Sequence, residues 1–297
     1  MHYGARKESE RPIEESELIV TPAGAIYHLN LLPEQLANDI IVVGDQNRVA
    51  QISRHFSKIE CKVENREFVT HTGEYNGKRI TALSTGIGTD NIDIVLNELD
   101  ALVNIDLKSR TIKKELRSLN IVRLGTSGSL QEDIPVDSAV ISTHSVGFDG
   151  VLGFYDYKQE QEEIDLEQHF IDHTGWSSRL NPPYFVKGSS SLFGKMSADM
   201  IPGITATSNG FYGPQGRVLR IPTYDADINE KLRNFRFGDH RICNYEMETS
   251  ALYGLSALLG HQAITVCAII ANRYKREYSK DYHKTIDRLI ETVLNRI

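Results

Sequence analysis

Cysteine is scarce in this 297-residue chain: Cys61, Cys243 and Cys267 are scattered, and no CxxC spacing occurs. That excludes a disulfide framework and a zinc signature, so no metal-ligating set is expected. Three reduced thiols fit a cytoplasmic protein. Basic residues are in the minority, 33 against 40 acidic ones, for a formal net charge of −7. A generally basic nucleic-acid binder is thereby excluded, and any anion site must be built from local arginines rather than the field of the whole molecule. Long hydrophobic runs are also missing. The longest stretch without Asp, Glu, Lys or Arg, residues 249–272, is broken by Gly254, Ser256, Gly260, His261 and Gln262. It reads as helix, turn and buried strand, not as a membrane span. The first 17 residues carry eight charges and no apolar segment. No secretory signal is expected there, and residues 1–17 read as a flexible polar arm before a single domain over 18–297. Internal repeats and low-complexity linkers are absent as well.

What remains is an ordinary globular composition, 40% hydrophobic and 25% charged, which excludes disorder for the chain as a whole. Ile40–Val43 reads as a buried strand ending at Gly44-Asp45. Arg79–Ser84 is a second, ending at Thr85-Gly86-Ile87-Gly88. Ile92, Val95, Leu96, Leu99 and Val103 then share one helical face. Ile121–Leu124 is a third strand, closing in a loop at Gly125–Gly128. Met247, Ala251, Leu252, Leu255 and Leu259 mark a helix that feeds the strand Ile264–Ala271. Strands alternating with helices predict an α/β fold with a largely parallel or mixed sheet. Ligands of such sheets bind beyond the carboxyl ends of the strands, which singles out 44–48, 85–91 and 125–128. Residues 104–120 carry five basic residues and fit a surface helix; residues 156–170 carry six acidic ones. Both read as solvated helix faces or as subunit contacts.

Several residues carry chemistry. Gly86-Ile-Gly88 starts a GxGxxG but lacks the third glycine, a weak signal, and a Rossmann dehydrogenase does not follow. Thr126 offers a hydroxyl, and its loop offers backbone N–H groups to an anion. Arg123 sits within an apolar strand and needs a partner, either a structural carboxylate or a ligand. Arg48 is a second cation near a strand end, or an exposed first-turn arginine. Tyr245-Glu246-Met247-Glu248 places two carboxylates at a helix start, as capping groups or with one turned to a sugar diol and the other packed elsewhere. Phe211-Tyr212-Gly213-Pro214-Gln215-Gly216-Arg217 is either a turn with core aromatics or a pocket for a flat heterocycle. In the second reading the ring stacks on Phe211, while Gln215 and Arg217 read an edge such as that of uracil.

In chain order, His28-Leu29, Gly44-Asp45-xx-Arg48, Arg66-Glu67-Phe68, Ser84–Gly88, Asn97-Glu98-Leu99, Arg123-Leu-Gly-Thr126-xx-Gly128, Phe211-Tyr212-xx-Gln215-x-Arg217, Asn244–Glu248 and Ala271-Asn272-Arg273 are no longer generic. From about residue 26 onward the chain resembles the nucleoside phosphorylase family, most closely its uridine-cleaving branch. The resemblance implies a three-layer α/β/α domain with a central mixed sheet. It implies a pentosyltransferase that reversibly cleaves uridine with phosphate to uracil and α-D-ribose 1-phosphate, in pyrimidine salvage or catabolism. Phosphate is then a co-substrate, and no cofactor, nucleic acid or membrane partner is implied.

By the same resemblance, Gly44, Arg48, Arg123 and Thr126 bind phosphate. Arg66 joins them from a neighbouring subunit, so the active sites lie at the interface of a homo-oligomer. Met247 and Glu248 contact ribose, with His28 reaching across from the adjacent subunit. Gly128, Phe211, Gln215, Arg217, Tyr245, Glu246, Ile270 and Ala271 form the base pocket. Arg48, Arg123, Gln215, Arg217 and Glu248 are the catalytic set. Purine-cleaving relatives typically carry Ser-Asp where this chain has Ala271-Asn272. Departures are Thr89-Asp90-Asn91, beside a monovalent cation site near Glu67 in some bacterial members, and Gly213-Pro214 for the commoner Pro-Gly. The N-terminal arm and 104–120 are additions that fit a dimer better than a hexamer. A phosphorylase of different or broader base preference and a catalytically silent nucleoside binder are the competing readings.

Overall fold

The computed structural model describes residues 11–297, so most of the expected 1–17 arm lies outside the described residues. The chain runs β1 (Asp39–Val43), α1 (Gln46–Ser53), β2 (Lys58–Asn65), β3 (Phe68–Tyr75), β4 (Lys78–Ser84) and α2 (Thr89–Asn104). A small hairpin follows, β5 (Ile105–Asp106) and β6 (Thr111–Ile112), then β7 (Asn120–Ser129), β8 (Ala139–Gly147), α3 (Gln161–Thr174), β9 (Tyr184–Lys187) and α4 (Ser190–Met196). The last third holds β10 (Ile201–Thr207), α5 (Ile228–Asn234), β11 (Arg236–Phe237), β12 (His240–Glu246), α6 (Thr249–Leu259), β13 (Gln262–Asn272), β14 (Glu277–Tyr278) and α7 (Tyr282–Arg296).

The central sheet has the order β11-β12-β10-β8-β13-β7-β1-β4-β3-β2. It is mixed: β1 runs parallel to β4 and β7, β7 parallel to β13, and β13 antiparallel to β8. This is the α/β architecture the sequence implies. The Ile40–Val43 run is fully buried because β1 lies mid-sheet, as continuous apolar strands do when both faces are covered. Ile92, Val95, Leu96, Leu99 and Val103 of α2 are likewise fully buried, each contributing about 1.5–3 kcal/mol on leaving water. One further pairing shapes the site. β12 bonds β7 through Asn244–Ser129 and Tyr245–Gly128, so β7, β13, β8, β10 and β12 close into a ring.

Two expectations are corrected. Residues 125–128 are not a loop: β7 continues to Ser129, with Gly125, Thr126 and Ser127 paired to Cys267, Ala268 and Ile269. Residues 104–120 are not a helix. The Asp106 carboxylate accepts the N–H groups of Lys108 and Ser109, both at 2.9 Å, and Asn104 Oδ1 accepts Arg117 N–H at 2.7 Å. Such short polar side chains offer the backbone an alternative to helical bonds, and the segment becomes the β5–β6 hairpin followed by extended chain. Ile13 N–H donates to the Arg110 carbonyl of that hairpin at 2.8 Å. The acidic 156–170 segment becomes helical only from Gln161. Leu166 and Phe170 bury one face of it, and Glu163 is drawn inward by Lys187 N–H at 3.0 Å.

Candidate active site

A cavity of about 790 Å³ opens at the carboxyl ends of β1, β7, β12 and β13, where an open α/β sheet places its ligands. Gly44, Arg48, Arg123, Thr126, Gly128, Phe211, Gln215, Arg217, Tyr245, Glu246, Met247, Glu248, Ile270 and Ala271 all line it. The structure thus brings together residues spread over more than 220 positions of sequence.

Its floor is Arg123. The strand carries this side chain upward past Gly125, where a Cβ would come within 2.2 Å of Arg123 Nη1. Glycine is therefore what lets the guanidinium lie there. Glu246 Oε2 is 3.1 Å from Nη1, and Glu248 bonds Nη2. The two carboxylates were expected to diverge; they converge on one cation, because the chain turns between the end of β12 and the start of α6. Burial alone would depress the Arg123 pKa, but Glu248 and Glu246 outweigh it and raise it. Burial raises the Glu248 pKa, with Arg123 opposing. Glu248 also accepts Gly88 N–H at 2.7 Å, tying the turn before α2 to this cluster. Glu246 accepts the N–H groups of Glu248 and Thr249, each at 3.0 Å from Oε2. The structural-carboxylate reading of Arg123 is the one observed, and the paired side chain also lines the cavity.

Beside this cluster, Asp45 caps α1 through Asn47 N–H at 2.9 Å, and the first turn points Arg48 inward to the Leu124 carbonyl at 3.3 Å. Burial lowers the Arg48 pKa from its ordinary value. Gly44, Arg48 and Thr126 line the same cavity as Arg123.

Another part of the lining is built on the turn at 213–215. Gln215 is 2% exposed, and its Oε1 accepts from Arg217 Nη1 at 2.5 Å. The Arg217 guanidinium lies 3.7 Å from the centre of the Phe211 ring, a cation–π contact. One face of Phe211, the ring expected to stack a heterocycle, thus carries an arginine. Tyr245 donates its hydroxyl to the Pro214 carbonyl at 3.1 Å.

Arg273, which follows Ala271-Asn272 and to which the sequence assigns no role, is a further cavity residue. It donates to the Gln215 carbonyl at 2.9 Å and to Asn229 Oδ1 at 3.2 Å. Burial, reinforced by Arg217, lowers its pKa to about 10. Arg276, Glu277 and Tyr278 complete this wall. The available signal was a charge placed directly after an apolar strand.

Two expected residues do not line the cavity of their own chain. His28 Nδ1 is 2.7 Å from Glu98 Oε1, and Asn65 donates to the His28 carbonyl at 2.8 Å. Arg66, in the left-handed region at φ 55°, lies 5.8 Å from the ring of Tyr27. They form a separate surface cluster. Glu67 and Asn91 both crowd Gly86.

The profile of the Phosphorylase superfamily matches residues 39–296. Uridine phosphorylase of Thermococcus kodakarensis is 28% identical over 263 residues, covering 88% of this chain and 82% of the relative. A DeoD-type purine nucleoside phosphorylase of Bacillus thuringiensis is 24% identical, covering 90% and 97%. A solved nucleoside phosphorylase of Trypanosoma brucei, described as showing uridine phosphorylase activity, superposes with a TM-score of 0.88 at 28% identity, covering 94% of this chain and 98% of that one.

Proposed function

The chain belongs to the phosphorylase superfamily and is a nucleoside phosphorylase, and we propose that its nucleoside is uridine. The observation that carries this reading is the Gln215–Arg217 pair backed by Arg273, lining the same cavity as Arg48 and Thr126. An amide and a guanidinium together offer donors to two ring oxygens. A purine offers N7 instead, which calls for an acid. The residue in that position is Asn272, and its amide is already spent on the carbonyls of Gln131 and Ile134 at 2.9 and 2.8 Å.

In this mechanism phosphate lies over Arg48, Thr126 and the Gly44 turn. A phosphate oxygen attacks C1′ of the ribose as the C1′–N1 bond breaks, and the bonding pair leaves with the base. Gln215 and Arg217 meet the charge that develops on uracil, an interaction stronger in the transition state than in the bound nucleoside. Solvent protonates the released base. Glu248 and Met247 face the sugar. Arg123 holds both carboxylates in place. Each arginine–phosphate contact contributes up to about 4 kcal/mol at 4 Å and an effective dielectric of 20, before desolvation.

His28 and Arg66, clustered away from their own cavity, complete the site of a neighbouring subunit in this reading, which requires a homo-oligomer. The three free thiols accord with a reducing, cytoplasmic setting, and among the described residues no helix is long and apolar enough to cross a membrane.

A substrate panel tests the base assignment. With phosphate present, uridine should yield uracil and ribose 1-phosphate, while inosine should yield no hypoxanthine. Comparable release of both bases would replace the uridine reading with a broader one.

A further inference from the structure

We propose that Asp137, which lies outside the cavity, is a positioning residue for nucleoside binding: it anchors the hairpin that walls the base end. The claim rests on the reading of that end as the base subsite. The hairpin is formed where β13 turns back into β14, with Ala271 opposite Tyr278 and Asn272 opposite Glu277. Its residues Arg273, Arg276, Glu277 and Tyr278 line the cavity. A two-residue ladder with an exposed outer strand does not hold its own place.

The hold comes from below. Ser279, directly after β14, donates its N–H to the Ile270 carbonyl at 2.8 Å and its hydroxyl to Asp137 Oδ1 at 2.6 Å. The same oxygen accepts the Thr285 hydroxyl of α7 at 3.0 Å. Asp137 is itself fixed on both sides. Its N–H donates to the Ile269 carbonyl at 2.8 Å, and its carbonyl accepts Arg288 Nη2 at 2.8 Å. Its backbone is left-handed, at φ 66°, a conformation that Asp and Asn tolerate better than other side chains. One carboxylate oxygen therefore joins the return of the hairpin to the start of α7, and the backbone N–H of the same residue ties both to the strand that carries Ile270 and Ala271. Losing that oxygen removes the side-chain tie that holds the return of the hairpin to α7, while leaving every cavity residue in the chain.

The test compares Asp137→Ala, Asp137→Asn and Ser279→Ala. Asn keeps an oxygen acceptor and the left-handed backbone. Ser279→Ala removes the same bond with no backbone strain at 137. Asp137→Ala and Ser279→Ala should raise the KM for uridine about tenfold, the scale of one or two lost hydrogen bonds, with the KM for phosphate within about twofold. Asp137→Asn should stay within about twofold for both. Amides of residues 273–279 should exchange with solvent faster in the two Ala variants and not in Asp137→Asn.

Impairment of Asp137→Asn equal to that of Asp137→Ala overturns the proposal. So does a loss of thermal stability in the Ala variants with both KM values unchanged. If the wild-type protein cleaves no uridine, the functional reading has failed independently. The exchange experiment then decides whether Asp137 anchors the hairpin, and unchanged exchange at 273–279 overturns that as well.

Discussion

The Arg217 guanidinium donates to the side-chain oxygen of Gln215 at 2.5 Å while lying over the ring of Phe211. This fixes the orientation of the amide: its oxygen is occupied, and its NH₂ group remains to meet a ring oxygen. Removing Arg217 takes away a donor and frees Gln215 to rotate. Arg217→Ala should lower kcat/KM for uridine by about 10²–10³, the scale of one lost transition-state donor. Any residual cleavage of inosine should change far less. Equal losses on both nucleosides would place Arg217 outside the base pocket.

Arg123 should matter to folding as well as to turnover. Arg123→Ala leaves Glu246 and Glu248 buried without their cation, a change that costs about 3–5 kcal/mol when a buried pair is broken from one side. Gly125→Ala reaches the same cluster by steric pressure, since its Cβ would meet Arg123 Nη1 at 2.2 Å. Overpacking of this kind costs about 1–3 kcal/mol. Denaturant unfolding should rank the proteins wild type, Gly125→Ala, Arg123→Ala in falling stability, and both variants should lose activity. A fully active Gly125→Ala protein would show that the guanidinium is free to move.

Shared sites predict complementation. Arg48→Ala damages the cavity of its own chain, and Arg66→Ala damages that of a neighbour. Each homomer should be nearly inactive. Unfolding and refolding the two together should restore activity, because a mixed pair contains one intact site. No recovery on mixing, from samples shown to contain mixed oligomers, would return Arg66 to a surface role.

Stability should fall in mild acid through His144. Its ring packs on His240 with centroids 4.9 Å apart, and Nε2 is 3.7 Å from Glu162 Oε1. Burial lowers its pKa to about 4, with Glu162 opposing and the charges of His240 and Lys187 reinforcing. The unfolded chain, with a histidine pKa near 6.5, binds the proton first as the pH falls. Above about pH 6.5 this histidine contributes nothing to pH dependence; between about 6.5 and 4 it removes up to about 1.4 kcal/mol of stability per pH unit. Urea midpoints of wild type and His144→Gln should therefore approach one another from pH 7 to pH 5. A constant gap would exclude His144 as the source.

How much of this was legible in the sequence depended on which force fixed each element. The α2 face and the β1 run were readable because burial alone decides them. Residues 125–128 were misread as a loop because glycine signals turns; here Gly125 serves a side chain two residues earlier on the same strand. The five basic residues of 104–120 fit a surface helix, but Asp106 bonds the backbone locally and Asn104 holds the distant Arg117 N–H, and these bonds win. The order of motifs exposed the cavity lining from Gly44 to Ala271. The convergence of Glu246 and Glu248 on Arg123 needed the turn between β12 and α6, and Arg273 needed the hairpin that folds it over Gln215. Neither follows from spacing along the chain.

The most direct measurement follows the absorbance loss of uridine at increasing inorganic phosphate. Uridine should show no loss without phosphate and a saturable rise in rate with it, yielding ribose 1-phosphate. Uridine cleavage at full rate in the absence of phosphate would mean that water is the nucleophile, and would contradict the role given to Arg48, Thr126 and Arg66.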